Sequence, residues 1–271
     1  MQNCFFKVLK FNSITLFFFS ILFFCSCEDI LKLDVMGDGN IITDSLRWRN
    51  FNINELELSE NFILEIYHSE VPALHVETDS NLIGFVKTDF VRNKLAIRRQ
   101  SDHNIKPSKY VKVRLYIDNL ALINVWNRGT IICDTLSSTS LTVNIYEKSS
   151  FKSSYTSVEN LFVVAEGGAF VDINGEFVYL DYSQSGSGES YLRGNSDNFK
   201  VFQDGSGKIE AINLLAKVTN ITLLKSGLIY CNVSNYLSVQ IKGSGRVYYR
   251  NNPELIVSIE GIDGEGQVLE F

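Results

Sequence analysis

The sequence predicts an all-β chain folded as a parallel β-helix, or solenoid, and three observations carry that prediction. Between Ala121 and Phe271 one small residue returns at a turn about every nineteen residues: Gly129, Ser149, Ala169, Gly188, Gly207, Gly227, Gly245 and Gly264, at steps of 18 to 20. Around each copy, apolar and polar residues alternate. Between copies, no stretch is long enough for a crossover helix. Strict alternation marks a strand with one buried face. A copy too short to enclose its own apolar face must stack on its neighbours.

The alternation defines two columns pointing inward. Two residues after the turn stand Ile131, Phe151, Val171, Ser190, Ile209, Ile229, Val247 and Gly266; six before it stand Ile123, Val143, Val163, Tyr182, Val201, Ile221, Val239 and Ser258. Residues such as Lys152, Lys208, Glu210 and Arg246, one or three after the turn, belong in water. The expected unit is about eight coils of about nineteen residues, each with two short strands meeting at the small residue. The rival is a run of hairpins forming a sandwich or barrel. Hairpins would alternate in direction and turn at Asn-Gly or Asp-Gly, whereas here one turn recurs at one place.

From the N-terminus, residues 1–26 read as a targeting segment. Lys7 and Lys10 precede an uncharged run from Phe11 to Phe24, long enough for a signal peptide and short for a membrane span. Ser26 then precedes Cys27, an arrangement resembling the lipobox of bacterial lipoproteins, although Phe24 and Cys25 depart from its preferred residues. Cys27 is therefore the expected lipidation site and the membrane attachment. Glu28 and Asp29 follow, resembling a surface-export signal of lipoproteins from Bacteroidetes-like bacteria. Loss of residues 1–26 removes two lysines and no acid, taking the net charge from −6 to −8. A chain so acidic is not expected to bind nucleic acid.

Residues 27–45, with Gly37 and Gly39 as breakers, read as a tether, and 46–271 as one domain. Within it, 46–120 keep the strand signal but lose the nineteen-residue step, so they are expected to be irregular first coils or an N-terminal β cap. Such atypical units shield the ends of repeat arrays. No matching cap is visible after Gly264, so the last coil, Gly264 to Phe271, is expected to self-associate with another chain.

At Arg49-Asn50-Phe51, Phe62 to Tyr67, Val76 to Leu82, Lys94 to Ile97, Gly186-Ser187-Gly188, Asp204 to Gly207 and Gly243 to Tyr249, the chain resembles the DUF2807 family, described as putative auto-transporter adhesin, head GIN domain. The resemblance implies a right-handed β-helical domain on envelope-anchored proteins, with adhesion suggested and no enzymatic activity established. It places the chain in the bacterial envelope as an outer-membrane lipoprotein, facing either the surface or the periplasm. The copies at Lys148-Ser149 and Gly168-Ala169 lack the Ser-Gly pair of the later turns.

Few residues invite chemistry. The Gly-Ser-Gly turns lack the following helix that a phosphate loop needs, so the glycines are expected to serve as corners, with Ser187, Ser206, Ser226 and Ser244 exchanging hydroxyl bonds. Asp172 and Glu210 share an outward column two coils apart, about 10 Å at the inter-strand spacing, just past the range of paired glycosidase carboxylates. The spacing forces no arginine or second acid beside them. Tyr191, Tyr230 and Tyr248 share that column and form the candidate surface for a glycan or a cell-surface protein, against the alternative of ordinary cross-strand stacking. His68, His75 and His103 are scattered, so no metal or cofactor is expected. Cys133 and Cys231 point inward about 24 Å apart, too far for a disulfide. Asp44-Ser45-Leu46 and Asp134-Thr135-Leu136 resemble an acidic O-glycosylation sequon.

Overall fold

The computed structural model describes residues 33–47, 53–100, 102–260 and 265–271. The targeting segment, Cys27 and Gly264 lie outside them. The protein is a β-solenoid of about seven turns, with no α-helix among the described residues. The regular part begins at β10 (Leu122–Val125) and runs through β11 (Thr130–Ile145), β12 (Ser150–Gly167), β13 (Phe170–Gly186), β14 (Glu189–Gly205), β15 (Lys208–Leu223) and β16 (Leu228–Ile241). Every successive pair is parallel, with partners about nineteen residues apart: Ile131↔Phe151, Phe151↔Val171, Val171↔Ser190 and Ser190↔Ile209. Hairpins are thereby excluded from the regular part.

Each coil is one long ladder rather than two short strands. In β12 the buried residues are Phe151, Ser153, Thr156, Val158, Leu161, Val163 and Ala165. The alternation slips by one residue at Ser154-Tyr155 and again at Glu159-Asn160, and each slip turns a corner at which the parallel ladder skips a residue or shifts register before resuming. Three faces result, closed by the turn at the small residue. Inside, the two expected columns are buried from Ile123 to Val239 and from Ile131 to Val247. Burial of each such aliphatic side chain contributes roughly 1.5–3 kcal/mol.

Two polar-looking members of these columns are explained by each other. Tyr182 and Ser190 are both buried, and the tyrosine hydroxyl bonds the serine Oγ across the core. Ser190 Oγ in turn donates to Gln184 Oε1 at 2.7 Å, and Gln184 Nε2 donates to the carbonyl of Gly188 at 2.8 Å. One coil later Gln203 Nε2 makes the same bond to Gly207. A large polar ring beside a small hydroxyl keeps the volume constant and the polar groups satisfied.

The N-terminal region is a cap whose layers are out of chain order. β3 (Glu55–Leu58) and β4 (Ile63–His68) lie beneath β10 and β11, with Leu56↔Ile123 and Leu64↔Ile131. Beneath them lie the later strands β7 (Lys94–Arg99) and β9 (Lys112–Ile117), through Leu56↔Leu95 and Leu64↔Val113. Both inward columns therefore extend two layers below the repeat. Antiparallel strands then finish the end: β5 (Ala73–Asp79) on β9, β2 (Ile41–Arg47) on β5, and β6 (Val86–Val91) on β7. Part of the expected tether is thus strand, because β1 (Leu33–Met36) also pairs with β8 (His103–Lys106) in a separate two-stranded sheet.

The C-terminal end differs from expectation in register. β17 (Arg246–Arg250) and β18 (Glu254–Ile259) cover the two halves of β16, and β19 (Gln267–Glu270) stacks on β17 as Arg246↔Gln267. The residue below Gly245 is therefore Gly266, a step of 21 in place of the 19 that pointed to Gly264. The inward partners are Val268 under Val247 and Val257 under Val239, so Gly266 and Ser258 leave the columns assigned to them. The turns number about seven, against the eight coils expected.

Candidate functional site

The turn glycines are glycine for lack of room rather than for φ. Positive φ occurs at Gly167, Gly186 and Gly194, and not at Gly129, Gly188, Gly207, Gly227 or Gly245. At the latter the side-chain direction points inward. A Cβ at Gly188 would lie 2.4 Å from the carbonyl of Ala169, at Gly207 2.2 Å from Gln184 Nε2, at Gly227 2.5 Å from the Gln203 side chain and at Gly245 2.4 Å from Leu223. Ala169 and Ser149 occupy the same column, fully buried, in the roomier early coils. The turns are tied by backbone bonds between layers, such as Ser187 N–H to Gly167 and Ser206 N–H to Gly186, rather than by hydroxyl exchange among the serines.

The tyrosine column exists as a register, continuing Ile132, Lys152, Asp172, Tyr191, Glu210, Tyr230, Tyr248 and Leu269. Its rings do not form one platform. Tyr230 and Tyr248 stack with centroids 5.0 Å apart and planes 12° apart, Lys208 Nζ lies 5.1 Å from the Tyr230 centroid, and Phe271 meets the Tyr230 edge. Tyr191 is separated from them by Glu210 and packs instead on Phe170. All three are half-buried. A second stack, Trp126 on Tyr146 at 5.3 Å, sits three residues before the turn, where the repeat could have revealed it.

The carboxylates of this column are paired. Arg193, one layer on, bonds Asp172, a neighbour that the column spacing did not force, and Lys208 bonds Glu210. The diagonal i, j+2 relation between neighbouring strands brings Arg193 over Asp172, which a column-by-column reading misses. No group of histidine, cysteine and carboxylate able to hold a metal occurs among the described residues. Cys133 and Cys231 are free and buried as expected, and burial pushes the Cys231 thiol up to about 12 and that of Cys133 up as well.

The densest charge network lies on the cap. Glu65 meets Lys112 at 2.8 Å and Arg114 at 3.3 Å, Arg114 reaches Glu77 at 2.9 Å, and the Tyr110 hydroxyl donates to Glu77 at 2.6 Å. That hydroxyl, with Arg114, holds Glu77 below its ordinary value. Burial alone would raise Glu65, but Lys112 brings it below its own. Asp79 likewise is lowered against its burial, by Ser108 through Oγ at 2.6 Å and N–H at 2.9 Å and by the Gly39 N–H at 2.8 Å. These contacts join strands of the cap, which is a structural role.

One surface feature was not anticipated. Along the second corner of the coils runs an open groove of about 920 Å³, lined mostly by hydroxyl, amide and carboxylate side chains. It falls midway between glycines, where apolar alternation is interrupted. The same repeat nevertheless carries it, as Ser137, Ser157, Glu176, Asn195 and Leu215 in successive layers.

Comparison with known proteins gives one consistent result. The family model described as putative auto-transporter adhesin, head GIN domain, DUF2807, matches residues 50–253. A crystal structure described as a putative adhesin from Parabacteroides merdae superposes with a TM-score of 0.78 at 20% identity, covering 88% of this chain and 99% of the other. One described as a putative adhesin from Parabacteroides distasonis gives 0.81 at 20%, covering 88% and 100%. A third, described as a putative lipid binding protein from Parabacteroides distasonis, gives 0.71 at 21%, covering 88% and 99%. At these identities the likeness concerns the fold. No curated protein matches.

Proposed function

Because the chain belongs to the DUF2807 family, we propose that it is a non-enzymatic adhesive module of the bacterial surface or envelope, held at the membrane by lipid on Cys27. The observation that supports this reading is the solenoid itself. Its core columns are filled by packed side chains from the cap to β16, so the molecule offers a stiff, elongated outer surface of repeating ladders and little else. Binding on such a surface draws on many layers at once. Among the described residues the core columns are filled by side chains, which weighs against carrying over a lipid-binding role from the third structure.

The tyrosine column is the weaker binding surface, since the faces of Tyr230 and Tyr248 are spent on each other and on Lys208. Three measurements test the proposal. Retention under flow of cells with and without the gene, on mucin-coated and fibronectin-coated glass, should fall on deletion; equal retention would remove the adhesive role. Trypsin treatment of intact cells should destroy the chain if it faces outward, and Cys27→Ala should release it from the membrane fraction. A variant still anchored would refute lipid attachment at that residue.

A further inference from the structure

The groove at the second corner has features that the adhesive reading leaves unassigned. Its floor is closed by the buried residues Val158, Phe177 and Ser196. Along one side, Ser137, Ser157, Glu176, Asn195 and Leu215 stand in register in five consecutive layers, spanning roughly 19 Å at the inter-strand spacing. Along the other, Glu159, Asp197 and Lys217 line the cleft. Asp197 bonds Lys217 at 2.6 Å, while Glu159 and Glu176 make no ion pair among the described residues. Two exposed aliphatic side chains, Val178 at 52% and Leu215 at 41%, interrupt the polar lining.

This composition selects a class of ligand. On the side of the Ser157-Glu176-Asn195 ladder the backbone pairs between layers, and at the corner, where the ladder skips a residue, the carbonyls of Thr139 and Val178 accept from the side-chain amides of Asn160 and Asn198, so a peptide strand laid there would find few main-chain partners. A ligand must instead carry donors and acceptors along its own length and meet side chains. Hydroxyl groups on adjacent ring carbons do this: they donate to carboxylates and exchange bonds with serine and asparagine, while the C–H faces of the rings settle on aliphatic side chains. Unpaired Glu159 and Glu176 repel a polyanion, so a neutral chain fits better than an anionic one.

Resting on the reading of the protein as a binding module, we propose that the groove between the Ser157-Glu176-Asn195 ladder and Glu159 binds a linear neutral polysaccharide lying along the solenoid axis. The axial direction follows from the repeat, because each layer presents a fresh polar side chain to the next sugar unit.

Affinity electrophoresis of the full chain through gels containing hydroxyethylcellulose, arabinoxylan, laminarin or yeast mannan tests this, with polygalacturonate as the charged control. At least one neutral polymer should retard the protein, and polygalacturonate should not. The double variant Glu176→Ala with Asn195→Ala, both exposed positions, should weaken that retardation at least tenfold with an unchanged melting temperature, whereas Tyr230→Ala should leave it intact. Retardation by none of the four, equal retardation by polygalacturonate, or a double variant indistinguishable from the parent would each overturn the proposal. Adhesion by cells whose protein ignores all four polymers would leave the adhesive reading standing without the groove; retardation without adhesion would do the reverse.

Discussion

The two ends of this solenoid solve the same problem differently. At the N-terminal end the inward columns continue through Leu56 and Leu95 and through Leu64 and Val113, all fully buried, before antiparallel strands close over them. At the C-terminal end the columns stop in the open. Leu255, Val257 and Ile259 lie under Leu237, Val239 and Ile241 yet are themselves 39–43% exposed, with Ile256 and Phe271 exposed beside them. Among the described residues β18 pairs only with β16, and β19 only with β17, so each leaves an edge unpaired there. A stack of coils always ends in an unsatisfied layer. The reversal of β5, β2 and β6 ends the parallel run on one side, and among the described residues no antiparallel strand closes the other.

The largest expected effect that tests this contrast is in stability. Leu56→Ala, beneath the cap, should cost roughly 2–5 kcal/mol, and Val257→Ala, in the same column at the open end, about 0.5 kcal/mol or less, both by urea denaturation. Comparable losses would show that the open end is covered in solution. Next comes association: we propose that the open edge mediates self-association, so sedimentation of the parent should depend on concentration and the pair Val257→Lys, Ile259→Lys should remain monomeric. A parent monomeric throughout would leave the exposed edge without consequence.

Backbone crowding gives a smaller contrast. A Cβ at Gly194, which has φ +107, would fall 1.8 Å from the carbonyl of Gly175, while Gly39, at φ +81, has open space around it. Gly194→Ala should therefore cost roughly 3 kcal/mol and Gly39→Ala about 1 kcal/mol. Equal melting temperatures for the two variants would mean that the layers can part cheaply. The smallest effect concerns pH. Asp79, Glu77 and Glu65 have carboxyls held below their ordinary values of 3.8 and 4.5. Their contribution is present above that range and lost as pH falls through the depressed values. Amide protection, corrected for the slower intrinsic exchange in acid, should then fall in 73–79 and 112–117 below about pH 4 while 150–205 stay protected. Uniform exchange over both regions would sever the cap from these charges.

Much of this was legible in the chain. Period-two alternation repeated at a fixed step leaves few ways to bury an apolar face, so the stacked coils, the two columns and the separated thiols of Cys133 and Cys231 followed from spacing alone. The groove was legible in principle, since its ladder follows the same step, but attention fell on the glycine flanks where apolar contrast is strongest. Arg193 beside Asp172 was missed because diagonal neighbours belong to different columns.

Sequence periodicity by itself determined the unit, its direction of stacking and which side chains face the core, because these are local and repeat. Tertiary structure alone decided the rest. It placed β7 and β9 beneath β3 and β4 out of chain order, drew residues 33–47 into the cap, moved the last turn from Gly264 to Gly266, and made the turn glycines a matter of inward space. Each of these depends on what the neighbouring layer puts opposite a residue, and that neighbour is fixed only once the chain has folded back on itself.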